Sequence, residues 1–128
     1  MKKYLGIDFG DTYIGLALAE GVGPALPYKV VKHDESLWPL LRQLFTDVAI
    51  TDIVVGWPIS LSGNENKRTV ATEAFIEQLG HHTNLPIHRA DERFSSAEAT
   101  AKGMRGRVDA MAAAHFLQAF VDRHGERS

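Results

Sequence analysis

The chain has 128 residues, no cysteine, 45% hydrophobic and 23% charged residues, and a formal net charge of −2. That length suits one domain, residues 1–128, with a core of its own, and no apolar run approaches the roughly 20 residues of a membrane-spanning helix. The near-neutral balance gives no whole-molecule field to draw in a polyanion, and the missing thiols exclude disulfides and thiolate metal sites.

The opening "MKKYLGIDFG" has two lysines, but its apolar stretch is broken by Asp8 and lacks a cleavage pattern, so a secretory leader is not expected and the protein is placed in the cytoplasm. Residues 4–9 alternate as a strand, with Leu5, Ile7 and Phe9 on one face and Tyr4, Gly6 and Asp8 on the other. The next strand, 12–19, separates Ile14, Leu16 and Leu18 from Tyr13, Gly15, Ala17 and Ala19. A two-residue turn at Gly10 and Asp11 would pair Ile7 with Ile14, Gly6 with Gly15 and Asp8 with Tyr13. The second face is then low and glycine-floored, open to a ligand or to another backbone.

A third strand is predicted over 25–32, at an edge because Pro27 cannot donate to a ladder. The period then becomes helical: Leu37, Leu40, Leu41, Leu44, Phe45 and Val48 recur on one face, with Pro39 in the first turn. "DIVVG", 52–56, reads as a buried parallel strand, followed by the loop "WPISLSGNEN" and a helix from about Lys67 to Gly80. "PIHRA", 86–90, is the fifth strand, a short helix is predicted from about Ser95, and an alanine-rich helix covers about Val108 to Arg123. The order predicts an α/β fold: a mixed five-stranded sheet, three antiparallel strands then two parallel, with helices on both faces.

Asp8 stands in a strand interior, where an unpaired charge is costly unless something neutralises it. Asp91 and Glu92 follow the last strand, and Asp109 opens the last helix. Carboxylates that converge suit a hard cation, which takes oxygen ligands and is shared with substrate phosphate. Asp109 can equally complement a helix dipole, and Glu92 can pair with Arg93 or Arg89. In this strand order the first strand is central, and the winding direction changes beside it, the usual place for a ligand crevice. The basic stretch "KGMRGR", 102–107, with Arg105 and Arg107, is either a local polyanion site or a solvated loop. Adjacent His81 and His82 read as surface residues, the other histidines form no ligand pattern, and Trp38 and Trp57 read first as packing residues.

Four stretches, "GIDFGDTYIGLALAE", "DIVVGWPISLSGNE", "ADERFSSAEA" and "VDAMAAAHFLQAFVD", resemble the YqgF/RuvX family, RNase H-like proteins described as Holliday-junction resolvases and as pre-16S rRNA nucleases. They come in family order and cover nearly the whole chain. The resemblance implies a metal-dependent nuclease in which Asp8, Glu92 and Asp109 are the catalytic carboxylates and hold Mg²⁺ or Mn²⁺. Asp91 and Arg93 would support them, and Gly56, Pro58 and Gly63 would lie in the segment beside the active face; Gly10, and by their charge Lys67, Arg68, Arg105 and Arg107, are the further candidates to meet the substrate. Structured RNA, as in 5′-end processing of precursor 16S rRNA, is the implied substrate, with branched DNA second; a resolvase on a two-fold junction is expected to be a homodimer.

Two departures from the family pattern stand out. Asp11, Thr12 and Tyr13 occupy positions that commonly read Thr, Lys, Arg, and the segment between "DER" and "VDA" is shorter by about ten residues, which predicts a reduced substrate-contacting loop. Outside catalysis, the same fold serves as an ATP-binding module or as a non-catalytic nucleic-acid-binding factor. The first needs a duplicated domain that 128 residues do not supply.

Overall fold

A computed structural model describes residues 1–58, 67–91 and 105–124, with the side chains of Lys67, Asp91 and residues 105–109 outside the description. Gly63, Glu92, Arg93 and the helix predicted from Ser95 therefore lie outside the described residues. The strands are β1 (Lys3–Asp8), β2 (Tyr13–Glu20), β3 (Leu26–Lys32), β4 (Asp52–Trp57) and β5 (Ile87–Asp91). Helix α1 is Leu37–Asp47, α2 is Lys67–His82 and α3 is Arg105–His124. The strands form one sheet in the order β3-β2-β1-β4-β5, so β1 is central. It pairs antiparallel with β2 and parallel with β4. The predicted mixed sheet is the observed one, and no described helix is long and apolar enough to cross a membrane.

The strand alternation sorts two cores. On one face Leu5, Ile7, Ile14, Leu16, Ile53 and Val55 are buried against Leu37, Leu41 and Leu44 of α1 and Phe75 and Leu79 of α2. Each such side chain, taken fully from water, stabilises the fold by about 1.5–3 kcal/mol. On the other face Tyr4, Ala17, Ala19, Val54 and Ala90 meet Ala113, Ala114, Phe116, Leu117 and Val121 of α3. The alanines let this helix lie close. A Cβ at Gly6 would stand 3.1 Å from the Leu117 Cβ and 3.3 Å from the Ala113 carbonyl oxygen, so only glycine allows that approach without displacement.

The β1–β2 register differs from the expected one. Asp8 pairs with Gly15, Ile7 with Leu16 and Gly6 with Ala17, and the connection spans residues 9–12 rather than Gly10 and Asp11 alone. The reason is Phe9, whose ring is buried against Phe75 and His33, so the chain continues inward past Asp8 before it turns. His33 then holds the loop: its Nδ1 lies 3.0 Å from the Gly10 carbonyl oxygen and its backbone N–H donates to the Thr12 carbonyl at 2.9 Å. Because the slip is two residues, every side chain keeps its predicted face.

Helix α1 ends in a Schellman turn, with the Ile50 N–H donating to the Phe45 carbonyl and Ala49 at φ 60, a conformation glycine usually supplies. Trp38 is a packing residue, stacked between Phe75 and His82, so His82 is a half-buried aromatic partner and not the surface residue expected. At the N-terminal end of β4, Asp52 is buried. It accepts hydrogen bonds from Thr51 Oγ1 at 2.7 Å and Lys2 Nζ at 3.3 Å, and its Oδ2 lies 3.0 Å from His88 Nε2. Burial raises the Asp52 pKa, but the hydrogen bonds from His88, Thr51 and Lys2 outweigh it and hold the carboxyl below its ordinary value.

Candidate active site

The parallel strands β1, β4 and β5 end on the same sheet edge, at Asp8, Trp57 and Asp91. Asp8 closes the central strand on the α3 face, as the alternation from Tyr4 and Gly6 requires, and its side chain is 10% exposed. Its floor is built of small residues. Gly15 lies across from it on β2, and on the other side the β1–β4 register runs on to Gly56, which pairs with Ala90.

Helix α2 begins at this edge. Arg68 Nη2 stands 3.8 Å from Asp8 Oδ1, an ion pair longer than a hydrogen bond. The buried oxygen thus faces a positive charge, and the guanidinium itself is 55% exposed. Arg68, expected to add charge for substrate, therefore also neutralises the central carboxylate. Thr72 Oγ1 donates to the Arg68 carbonyl at 2.8 Å and secures this turn of α2.

Helix α3 crosses the same face. Ala113 and Leu117 lie over Gly6, and Phe120 packs edge-on against Tyr4, so the helix runs antiparallel to β1 with its earlier turns toward the Asp8 end. The turn before Ala113 contains Asp109. The helix begins at Arg105 rather than at Val108, so Asp109 lies beyond the first turn and the dipole-complementing reading does not hold. The side chains of Asp109, Arg105 and Arg107 lie outside the described residues, as do Glu92, Arg93 and Gly63.

Other expected substrate residues fall in or beside regular elements. Gly56 is a buried residue of β4, inside the strand predicted over 52–56; the strand runs one residue further, through Trp57, and Pro58 is buried just after it. Gly10 is required by the turn itself, since a Cβ there would collide with the Tyr13 carbonyl oxygen. Lys67 is the first residue of α2. Arg89, one of the two partners considered for Glu92, bonds Glu73 Oε2 at 2.8 Å and lies over the Trp57 ring at 4.4 Å, while Glu92 lies outside the described residues. Two features escaped sequence reading: the Arg68–Asp8 pair, which joins distant segments, and the buried Asp52, whose only local signal is a carboxylate opening an apolar run.

The whole fold is that of RuvC. Thermus thermophilus RuvC, solved in complex with a Holliday junction substrate, superposes with a TM-score of 0.61 at 19% identity, covering 98% of this chain and 97% of its own. A second T. thermophilus RuvC structure gives 0.58 at 18% identity. That match defines the fold class. Residues 2–123 match the family model described as RuvX: Holliday junction resolvase. A relative from Anaeromyxobacter sp. (strain Fw109-5), named "Putative pre-16S rRNA nuclease", is 38% identical over 135 residues, covering 95% of this chain and 98% of its own. One of the same name from Ruminiclostridium cellulolyticum is 33% identical over 134 residues, covering 94% of each. The chain belongs to the RuvX family, and its class of activity is that of a nuclease, a hydrolase acting on phosphodiester bonds.

Proposed function

We propose that this chain, read as one nuclease domain over residues 1–128, is a divalent-metal-dependent nuclease that processes the 5′ end of precursor 16S rRNA in the cytoplasm. The observation that carries the reading is Asp8: a buried carboxylate at the end of the central strand, on a floor of Gly15 and Gly56, facing Arg68. Asp8, Glu92 and Asp109 would hold Mg²⁺ or Mn²⁺, because hard oxygen donors without sulfur or paired histidines suit those ions. When bound, the cation polarises the phosphodiester and activates water for attack on phosphorus. Around it, Asp8 supplies a fixed anion in a low-dielectric floor, and the exposed side of Arg68 meets substrate phosphate. The glycine floor lets a strand approach closely.

Precursor rRNA is favoured over branched DNA by the names of the relatives at 33% and 38% identity. The second reading, a Holliday-junction resolvase, is supported by the description of the family model. It demands a two-fold dimer.

The test uses end-labelled precursor 16S RNA 5′ fragments and four-way DNA junctions, each with Mg²⁺ or Mn²⁺, alongside sizing of the free protein. RNA cleavage that vanishes in Asp8→Asn, with unchanged circular dichroism, is expected, since the amide keeps the shape and loses the anion. Cleavage of junctions alone, by a dimer, transfers the function to the second reading. Nucleic-acid binding without cleavage under any metal makes the chain a binding factor of this fold.

A further inference from the structure

Beyond the carboxylates, one cross-strand pair on the Asp8 face presents exposed side chains. Tyr13 and Lys32 are direct cross-strand partners at the adjoining ends of β2 and β3. Asp8 pairs with Gly15, and Tyr13 is two residues before Gly15, so strand alternation puts Tyr13 on the same face as Asp8, and Lys32 with it. One row of the sheet is therefore Asp8, Gly15 and Val30; the next row outward is Tyr13 and Lys32. Lys32 stands two strand spacings, about 10 Å, to the side of Asp8 and about 7 Å further along the strands.

Both side chains keep open surface. Tyr13 is 37% exposed despite its size, and Lys32 is exposed. Most other described lysines and arginines have partners: Lys2 has Asp52, Lys3 has Glu20, Arg68 has Asp8 and Arg89 has Glu73. Among the described residues, Lys32 makes no hydrogen bond or ion pair. The nearby Asp34 is taken up by the Ser36 hydroxyl and backbone N–H, which with a weaker contribution from Lys32 hold its carboxyl below the ordinary value. The stretch Asp11–Tyr13 has no cation of its own, so Lys32 supplies one from the neighbouring strand.

We infer that Tyr13 and Lys32 form a docking point for a nucleic-acid strand beside Asp8, Lys32 taking a backbone phosphate about one or two nucleotides from the scissile one and Tyr13 stacking on an unpaired base. The inference rests on the nuclease reading of Asp8 and specifies where the strand leaves that site. A π-face accepts any base, and an exposed ammonium adds charge without sequence preference, so the point grips strands without reading them. Its occupant is single-stranded, because a paired base offers no face to Tyr13.

The probe is a fluorescein-labelled RNA stem-loop with a single-stranded 5′ extension, titrated in EDTA so that cleavage does not intrude, at several salt concentrations. Lys32→Gln is expected to raise Kd about three- to tenfold and to reduce the slope of log K against log salt by about 0.7, while Lys32→Arg restores both. Tyr13→Ser is expected to raise Kd for the extended stem-loop several-fold and for a blunt stem-loop by less than twofold. Lys29→Gln is the control: Lys29 pairs with Leu16, on the opposite face. Equal effects of Lys32→Gln and Lys29→Gln, or a slope unchanged by Lys32→Gln, overturn the inference while leaving the nuclease reading intact. Cleavage that survives Asp8→Asn, with the Lys32 and Tyr13 effects on binding preserved, overturns the nuclease reading of Asp8 and leaves Tyr13 and Lys32 as a strand-binding point only; a wild-type chain that does not bind the probe overturns both.

Discussion

Gly6 and Leu117 are in contact where β1 passes beneath α3: a Cβ on Gly6 would stand 3.1 Å from the Leu117 Cβ. The same missing side chain brings the Ala113 carbonyl within 3.3 Å of that position. Gly6→Ala must lift α3 or shift β1, and overpacking of this kind costs about 1–3 kcal/mol. Since α3 carries Asp109, cleavage is expected to fall further than stability alone explains. Urea midpoints and kcat of the folded fraction, measured together, separate the two effects.

Arg68 stands against Asp8 at 3.8 Å, and any cation held by that carboxylate shares it with the guanidinium. Arg68→Gln is expected to lower the Mn²⁺ concentration giving half-maximal cleavage, because a competing charge is removed. It is also expected to raise KM for RNA several-fold, because a phosphate contact is lost. Manganese and substrate titrations of the two proteins check both directions; a rise in the Mn²⁺ requirement would contradict the first.

Asp52 contributes to stability through protonation. Its folded-state pKa lies below the ordinary value of about 3.9, so its contribution is fully present above that value and is lost as pH falls through the folded pKa. Asp52→Asn removes the anion that Lys2 and His88 face. The variant is expected to be less stable at pH 7 by about 1–3 kcal/mol, with a flatter decline below pH 4 than the wild type. Urea unfolding between pH 7 and pH 3 gives both slopes.

Ala49 occupies the left-handed position at the end of α1 with φ 60. Glycine takes that conformation without the Cβ penalty, and the Schellman hydrogen bonds remain. Ala49→Gly is expected to raise the thermal midpoint, by a gain of about 0.5–1 kcal/mol, with cleavage unchanged.

The layers of the fold were readable because alternation and helical spacing are local signals. Leu5, Ile7, Ile14 and Leu16 show their common face in the sequence, as do Leu37, Leu41 and Leu44. The turn length was not readable, because it depends on Phe9 entering a core completed by Phe75 and on a clamp from His33, all distant in the chain. Asp8 was visible as a charge in a strand, and Gly15 as part of an open floor. Arg68 was seen only as a nearby positive charge, since an ion pair between separate elements leaves no periodic trace. Glu92 and Asp109 were legible through the motifs "ADERFSSAEA" and "VDAMAAAHFLQAFVD" rather than through periodicity, because a lone acid at the end of a strand or in a helix has no spacing signal of its own.

The outer edge of β3 has a further consequence, for self-association. An exposed edge strand invites pairing with another copy, and β3 combines Pro27, a register shift opposite Leu16 and Ala17, and the charges of Lys29 and Lys32. Each of these hinders continuous addition of a strand. Growth of the sheet from copy to copy through β3 is therefore disfavoured, because an added strand would meet a missing donor, a broken register and a lysine on each face.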